Sequence, residues 1–380
     1  MSNIHLFAIV SLLLGCICFF AFKYAKQRKF SGLIVFSLLL AGLVLRIIIA
    51  INQTGFSYDI QAFSAWADRM YQVGPSKFYS PDVFTDYPPL YMLVLYLVGL
   101  LRSVFQIEHF SNLHILLLKI PAIICDLVCS YLIYSEANKH FSQSRALVLM
   151  STYLFLPAII LNSSAWGQID ATHTLIVILM CLLLKDKKMI PAYIVYAIGV
   201  LLKPQTLIFT PLLLVGIWDQ VFLNGFQKKN FYQNLLGGLA VILGMIVFCL
   251  PFGIDSVFKQ YLKTLSSYPY ASANAYNFWS LIGMNWSDQN TKFLFFSAKT
   301  WGSIVIVLIV VFVFLLSRYL KNNQAKYFIL GVFITFTMFV FSVRMHERYV
   351  YPALALLLFA FIYKPTKALW VCFTGLAVLH

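Results

Sequence analysis

Nine ionisable residues lie inside or at the edges of long apolar runs: Arg46, Lys119, Asp126, Asp170, Lys203, Arg344, His346, Glu347 and Arg348. On insertion scales such a group costs roughly 2.5–3.5 kcal/mol at the centre of a bilayer, so each is a candidate for function. Lys119 and Asp126 are seven apart and share a helical face, which lets them pair or project into one cavity. For these two and Arg46 the plainer alternative is an intramembrane ion pair or snorkelling at a helix end.

Two further carboxylates stand outside the runs. Asp59 follows Ser57-Tyr58 at the start of an amphipathic stretch and is bracketed by Phe56, Tyr58 and Phe63. An Asp there caps a helix or presents a general base at a membrane surface. Asp86 lies in DYPPLY, where Pro88 and Pro89 restrict the backbone. Rigid prolines hold a site carboxylate still, though an ordinary loop-to-helix junction has the same sequence. NSSAWGQIDATH (162–173) gathers Asn162, Trp166, Gln168, Asp170 and His173 at the mouth of an apolar run, a set suited to a sugar or headgroup. In RMHER, Arg344 and Arg348 are four apart and, on a helix, line one face able to grip a phosphate, with His346 between them.

The elements that position these residues are apolar. Of 380 residues, 61% are hydrophobic and 11% charged, too little polar surface to coat a water-soluble globule. Soluble enzyme, secreted disulfide scaffold and disordered chain are excluded. The net charge of +15 does not signal nucleic acid. The basic residues fall in short clusters between apolar runs (Lys23–Lys29, Lys139/Arg145, Lys185–Lys188, Lys228/Lys229, Arg318–Lys326, Lys364/Lys367), as cytoplasmic loops require.

Candidate spans are 5–22, 32–51, 88–106, 113–134, 146–163, 170–184, 190–217, 235–251, 298–317, 327–343, 348–363 and 368–380. The expected fold is an all-α polytopic bundle of about 11–13 helices in one domain, 1–380, with interfacial helices in its loops. The first run lacks a charged leader and a small-residue cleavage site and reads as a retained helix. Lys203-Pro204-Gln205 breaks 190–217 into two halves, each short for a crossing. Two stretches are too long for turns, 52–87 and 252–297. Asp59, Asp68, Asp82 and Asp86, four of the chain's 13 acids, fall in the first, which argues for the outer side. Ile60, Phe63, Ala67, Met70 and Tyr71 within it repeat as in a helix lying on a membrane surface. Alternation of sides closes only if one segment in 88–134 is not a full crossing, or if 190–217 is a single one.

All seven cysteines (16, 18, 125, 129, 181, 249, 372) lie in apolar runs without ligand spacing, so neither disulfides nor zinc are expected. There is no DxD triplet and no Gly-rich phosphate loop, which makes a metal-dependent, nucleotide-sugar mechanism a poor fit.

Six segments in order, SYDIQAFSAWADRM, DYPPLY, LKIPAIICDL, SSAWGQIDA, LLKPQ and MHERY, resemble the membrane glycosyltransferases of the GT-C superfamily. The nearest branch is the bacterial proteins similar to GPI-anchor mannosyltransferases, with some likeness to the glucosyltransferases of N-glycan assembly. The resemblance spans roughly 50–352. It implies a polyprenyl-phosphate sugar donor (mannose-like hexose), inversion at the anomeric carbon and a catalytic Asp in the first outer loop, here Asp59. By position Asp86 is the second loop carboxylate, and His346 and Arg348 lie at the donor phosphate, with Arg344 and Lys203 beside them. Trp166, Gln168, Asp170 and Lys119 are the candidates for acceptor and sugar contacts. The chain departs from the eukaryotic pattern in its extra first run and in reading HER where some relatives read HEK.

The expected activity is therefore transfer of a hexose to an envelope glycan, glycolipid or protein, at the outer face of the cytoplasmic membrane, with no cofactor, no metal and no nucleic-acid partner. The competing readings are a flippase or transporter of lipid-linked glycans, which the intramembrane charges and broken run would suit, and a polysaccharide polymerase.

Overall fold

The computed structural model describes residues 31–379. The run 5–22, Cys16, Cys18 and the cluster Lys23–Lys29 lie outside the described residues.

In chain order, α1 (Ser31–Asn52) and α2 (Ser57–Val73) are followed by α3 (Pro89–Val104), α4 (Asn112–His140) and α5 (Gln143–Leu154). The short α6 (Pro157–Ile160) continues into a π-helical turn, Leu161–Trp166. Next come α7 (Asp170–Lys185), α8 (Met189–Leu202), a 3₁₀ turn (Pro204–Phe209), α9 (Thr210–Val221) and α10 (Lys228–Cys249). The second long loop holds α11 (Ile254–Ser266), β1 (Ser272–Ala273), α12 (Phe278–Leu281), β2 (Lys292–Phe293) and β3 (Phe296–Ser297). The chain closes with α13 (Ala298–Tyr319), α14 (Lys326–Phe341), β4 (Met345–His346), α15 (Pro352–Tyr363) and α16 (Lys367–Leu379).

The fold is all-α and polytopic. Among the described residues four helices, Gly32–Asn52, Asn112–His140, Lys228–Phe252 and Ala298–Tyr319, are long and apolar enough to cross a membrane singly. A pair bent by 48°, Gln143–Leu154 with Pro157–Trp166, makes a fifth. Pro157 removes an amide donor at that bend, where a continuous helix would need it. The remaining apolar helices are shorter and pack among these.

The bundle has two chemically different ends. At one, here the far end, Glu136 joins Lys139 and Tyr363, Lys185 sits 5.0 Å over the Tyr363 ring, and Gln220 donates to the Lys187 carbonyl. Lys326 pairs with Asp219 at 2.6 Å at the same end. The basic clusters from residue 139 onward thus lie together. The other end carries α2, α3 and the second long loop.

The inner face of α3 (Tyr91, Met92, Leu95, Val98) is buried among Phe63, Ala67, Ile176, Leu201, Leu202 and Phe252, while Leu97, Leu101 and Val104 are exposed. Its last turn returns to α2, where Arg102 reaches Asp68 at 2.6 Å. Gly99 is needed where they cross, because a Cβ there would stand 2.4 Å from the Ala67 carbonyl oxygen. Segment 88–106 is therefore not a crossing but a second surface element. The run 190–217, in contrast, divides: α8 rises to Lys203 at the site end and α9 returns to Asp219 at the far end. The two findings together close the alternation.

Lys119 and Asp126 do not pair. Asp126 binds Arg46 at 3.4 Å and accepts from Tyr351 at 2.8 Å, all fully buried between α1, α4 and the start of α15.

Candidate active site

Asp59 sits in the first turn of α2, but the capping position is Phe56 and no side chain caps this helix. Its Oδ2 instead accepts from Trp166 Nε1 at 3.2 Å and from Gln168 Nε2. The sequence brings these groups together through the π turn, whose C-capping residue Gly167 has φ 88°, a conformation that favours glycine. The amide of Phe56 donates to the Trp166 carbonyl at 3.1 Å, so the start of α2 is stitched to the same turn. Beneath it Lys119 donates to the carbonyls of Gln53 (2.6 Å), Ser164 (2.9 Å) and Ala165 (3.2 Å). Lys119, expected among the sugar contacts, thus faces backbone: a buried ammonium needs several acceptors, and four carbonyls at the end of α1 and in the turn supply them.

Asp86 is held by the second long loop. Gln260 of α11 donates to the Thr85 carbonyl and accepts from Thr85 Oγ1 at 3.0 Å, while Thr264 donates to the Asp86 carbonyl at 3.3 Å. From the other side Trp66 Nε1 donates to the Phe84 carbonyl at 2.8 Å. Burial, reinforced by the negative charge of Asp59, pushes the Asp86 carboxyl up to about 6, with Arg348 and Lys203 opposing.

The cations come from two further loops. Lys203, at the break between α8 and α9, bonds Asp170 Oδ1. Asp170 Oδ2 accepts from Asn162 at 3.1 Å and lies 3.9 Å from Arg348, so this buried carboxylate orients two cations at once. Arg348 also reaches Glu347 at 3.0 Å. The segment 344–350 is not helical. Arg344 adopts φ 64°, Met345–His346 forms β4 parallel to β1 with Ala273 opposite His346, and Glu347–Val350 makes a 3₁₀ turn. The one-face argument for Arg344 and Arg348 therefore fails, yet both reach the same cavity. Arg344 Nε donates to Gln289 at 2.9 Å. His346 packs edge-on to Tyr268 at 4.9 Å, and burial together with the Arg348 charge lowers it to about 4, which leaves it neutral at pH 7.

Asp59, Asp86, Lys203, Arg344, His346 and Arg348 all line one cavity of about 290 Å³. Trp166 and Gln168 meet it through Asp59, and Asp170 through Lys203 and Arg348. Tyr268, Tyr87, Gln205 and Thr264 line it as well and were not among the candidate site residues read from the sequence. Tyr268, Gln260 and Thr264 all lie in the stretch 252–297, which the sequence sets apart by its length. A second cavity, apolar and about 660 Å³, opens against Phe336, Phe339, Leu376 and Leu379 and shares Arg348 with the first. Among the described residues no group of three or more His, Cys, Asp or Glu is placed to hold a metal ion.

The sequence model of glycosyltransferase family 87 matches residues 84–342, more than half of the chain. The chain belongs to glycosyltransferase family 87. No curated protein matches it. The matched part of this family 87 glycosyltransferase holds Asp86, Trp166, Gln168, Asp170 and Lys203, while Asp59 and Arg344–Arg348 fall outside its limits. With its several apolar helices, it is a multi-pass membrane glycosyltransferase.

Proposed function

We propose that this enzyme transfers a hexose, mannose in the first instance, from a polyprenyl-phosphate donor to a hydroxyl of an envelope glycan, glycolipid or protein, with inversion. The observation that carries the reading is the position of Arg348, shared between a polar cavity with two carboxylates and an apolar cavity fit for a lipid chain. A lipid-borne phosphate at Arg348 places its sugar toward Asp59 and its chain along Phe336, Phe339 and Leu376.

In this reading Asp59 takes the proton of the acceptor hydroxyl as its oxygen bonds to the anomeric carbon. The bond from that carbon to the phosphate oxygen breaks, and the electron pair leaves with the polyprenyl phosphate. Arg348, Lys203 and Arg344 offset the growing charge on the phosphate, and neutral His346 supplies an N–H, not a positive charge. Asp86, with its carboxyl raised to about 6, suits a hydrogen bond to a sugar hydroxyl near neutral pH. No metal or other cofactor enters this scheme. The basic far end supports a cytoplasmic orientation for that end, with the cavity on the outer face of the cytoplasmic membrane.

The test is transfer of radiolabelled mannose from polyprenyl-phosphate mannose by the purified protein, with donor binding measured separately. Asp59→Asn is expected to lose roughly 10²–10⁴-fold in turnover while still binding donor. Full transfer by that variant moves the base elsewhere. Translocation of a lipid-linked sugar without any transfer replaces the enzyme by a flippase, and loss of transfer on chelation brings a metal into the site.

A further inference from the structure

The far end holds a cavity unconnected to the transfer chemistry. It measures about 750 Å³ and is lined by four lysines, Lys185, Lys187, Lys321 and Lys326, against a single acid, Asp219. It lies between the α7–α8 turn, the end of α9, the start of α10 and the α13–α14 turn. Its floor is pre-organised. Lys326 and the Tyr327 hydroxyl, at 2.6 and 2.9 Å, both bind Asp219 Oδ2. Gln220 donates to the Lys187 carbonyl at 2.7 Å, and Asn234 donates to Gln220 at 3.2 Å while accepting from Tyr193 at 2.6 Å.

Those bonds commit the only acid of the lining, and the neighbouring Asp186 is taken up by Lys185. Among the described residues Lys187 and Lys321 have no ion pair, and both are exposed at the rim. The chemistry left over is cationic, with the amides of Asn224, Gln227, Gln233 and Asn322 around it. That set fits a phosphate monoanion carrying hydroxyls. It offers no free carboxylate to a choline or ethanolamine amine.

A second observation says what bears the phosphate. A ladder of rings flanks the same end: Trp218–Phe222 at 4.9 Å, Phe222–Phe226 at 5.7 Å, Phe226–Phe231 at 5.8 Å and Phe231–Tyr232 at 5.5 Å. Trp218, Phe226 and Tyr232 are exposed by 36%, 59% and 50%, with polar neighbours on one side and the apolar bodies of α9 and α10 on the other. Amphipathic rings so placed mark headgroup depth in a bilayer. Basic hollows between helices at that depth take anionic headgroups.

We propose that this cavity binds one anionic phospholipid with a polyol headgroup, of the phosphatidylglycerol type. Lys187 and Lys321 hold the phosphate, the amides take the headgroup hydroxyls, and the acyl chains run along the ring ladder.

The test uses the full chain in detergent and reads its unfolding temperature as lipid is added. Dioleoyl phosphatidylglycerol is expected to raise it saturably, and dioleoyl phosphatidylcholine is not. Lys187→Gln/Lys321→Gln is expected to weaken the phosphatidylglycerol response by about tenfold or more in midpoint concentration, with unchanged stability in phosphatidylcholine and unchanged sugar transfer. Lys364→Gln/Lys367→Gln removes equal charge from the same end outside the cavity and is expected to respond like the native protein. The proposal is overturned by an equal response to phosphatidylcholine, by an undiminished response in the first variant, or by an equal loss in the second. Inorganic phosphate alone reproducing the shift also overturns it, since the ligand is then the soluble ion.

Discussion

Two buried carboxylates, Asp126 and Asp170, each face a cation inside the helical bundle, and they differ in what surrounds the pair. Asp126 meets Arg46 and the Tyr351 and Tyr153 hydroxyls in a fully closed setting. Asp170 holds Lys203 and Arg348, whose far sides open into the site cavity. An intramembrane charge therefore signals a partner, and only the empty volume beside it signals a site. The first pair ties α1 to α4 and to the turn before α15, while the second presents two cations to the site cavity.

The comparison breaks first at Asp59. Asp59→Asn is expected to reduce transfer by roughly 10²–10⁴-fold with little loss of stability, whereas Asp126→Ala leaves Arg46 uncompensated. The latter should cost about 3–5 kcal/mol of stability by chemical denaturation and spare the turnover of whatever folded protein remains. Replacing both, Arg46→Met with Asp126→Leu, should recover most of that loss; failure to recover would give the pair a role beyond packing. Next in size, Arg348→Ala should raise the donor KM about 10–100-fold, the worth of one or two lost charge-assisted bonds, and leave the acceptor KM near its native value. Equal effects on both would take Arg348 away from the phosphate.

Asp86 sharpens the contrast through pH. Its folded carboxyl, at about 6, is above the ordinary carboxyl range, so ionising it destabilises the fold as pH rises from about 4 through 6. Asp86→Asn should melt higher than the native protein above pH 6 and no differently below pH 4. Smallest of all, Gln260→Ala should lower turnover several-fold, since it frees the Thr85–Asp86 backbone without removing a group from the cavity.

The elements and the carboxylates were largely legible in the sequence because hydropathy and 3.6-residue spacing report burial. The surface helix at Ser57–Val73 and the break at Lys203 follow from such signals, while the grouping of Asp59, Asp86 and Arg348 came from the resemblance to membrane glycosyltransferases. Segment 88–106 misleads for a physical reason. One face of it is covered by α2, α4 and α8 while Leu97, Leu101 and Val104 stay exposed, and composition does not distinguish such an element lying along the bundle from one that crosses. Arg344–Arg348 resists a helical reading because strand pairing with 272–273 outweighs local spacing. The clamp of Gln260 on Thr85 joins residues 175 apart, a relation that single-sequence periodicity does not contain.

The grip on Asp59 has a stereochemical corollary. Both the indole of Trp166 and the amide of Gln168 bind Oδ2, which locks the plane of the carboxylate and leaves Oδ1 outside these two bonds. With Asp59 as base, a polyol acceptor can approach along one bearing only. The linkage formed is then dictated by a tryptophan and a glutamine more than 100 residues away from the aspartate, so changes at those two positions should scramble regioselectivity before they abolish turnover.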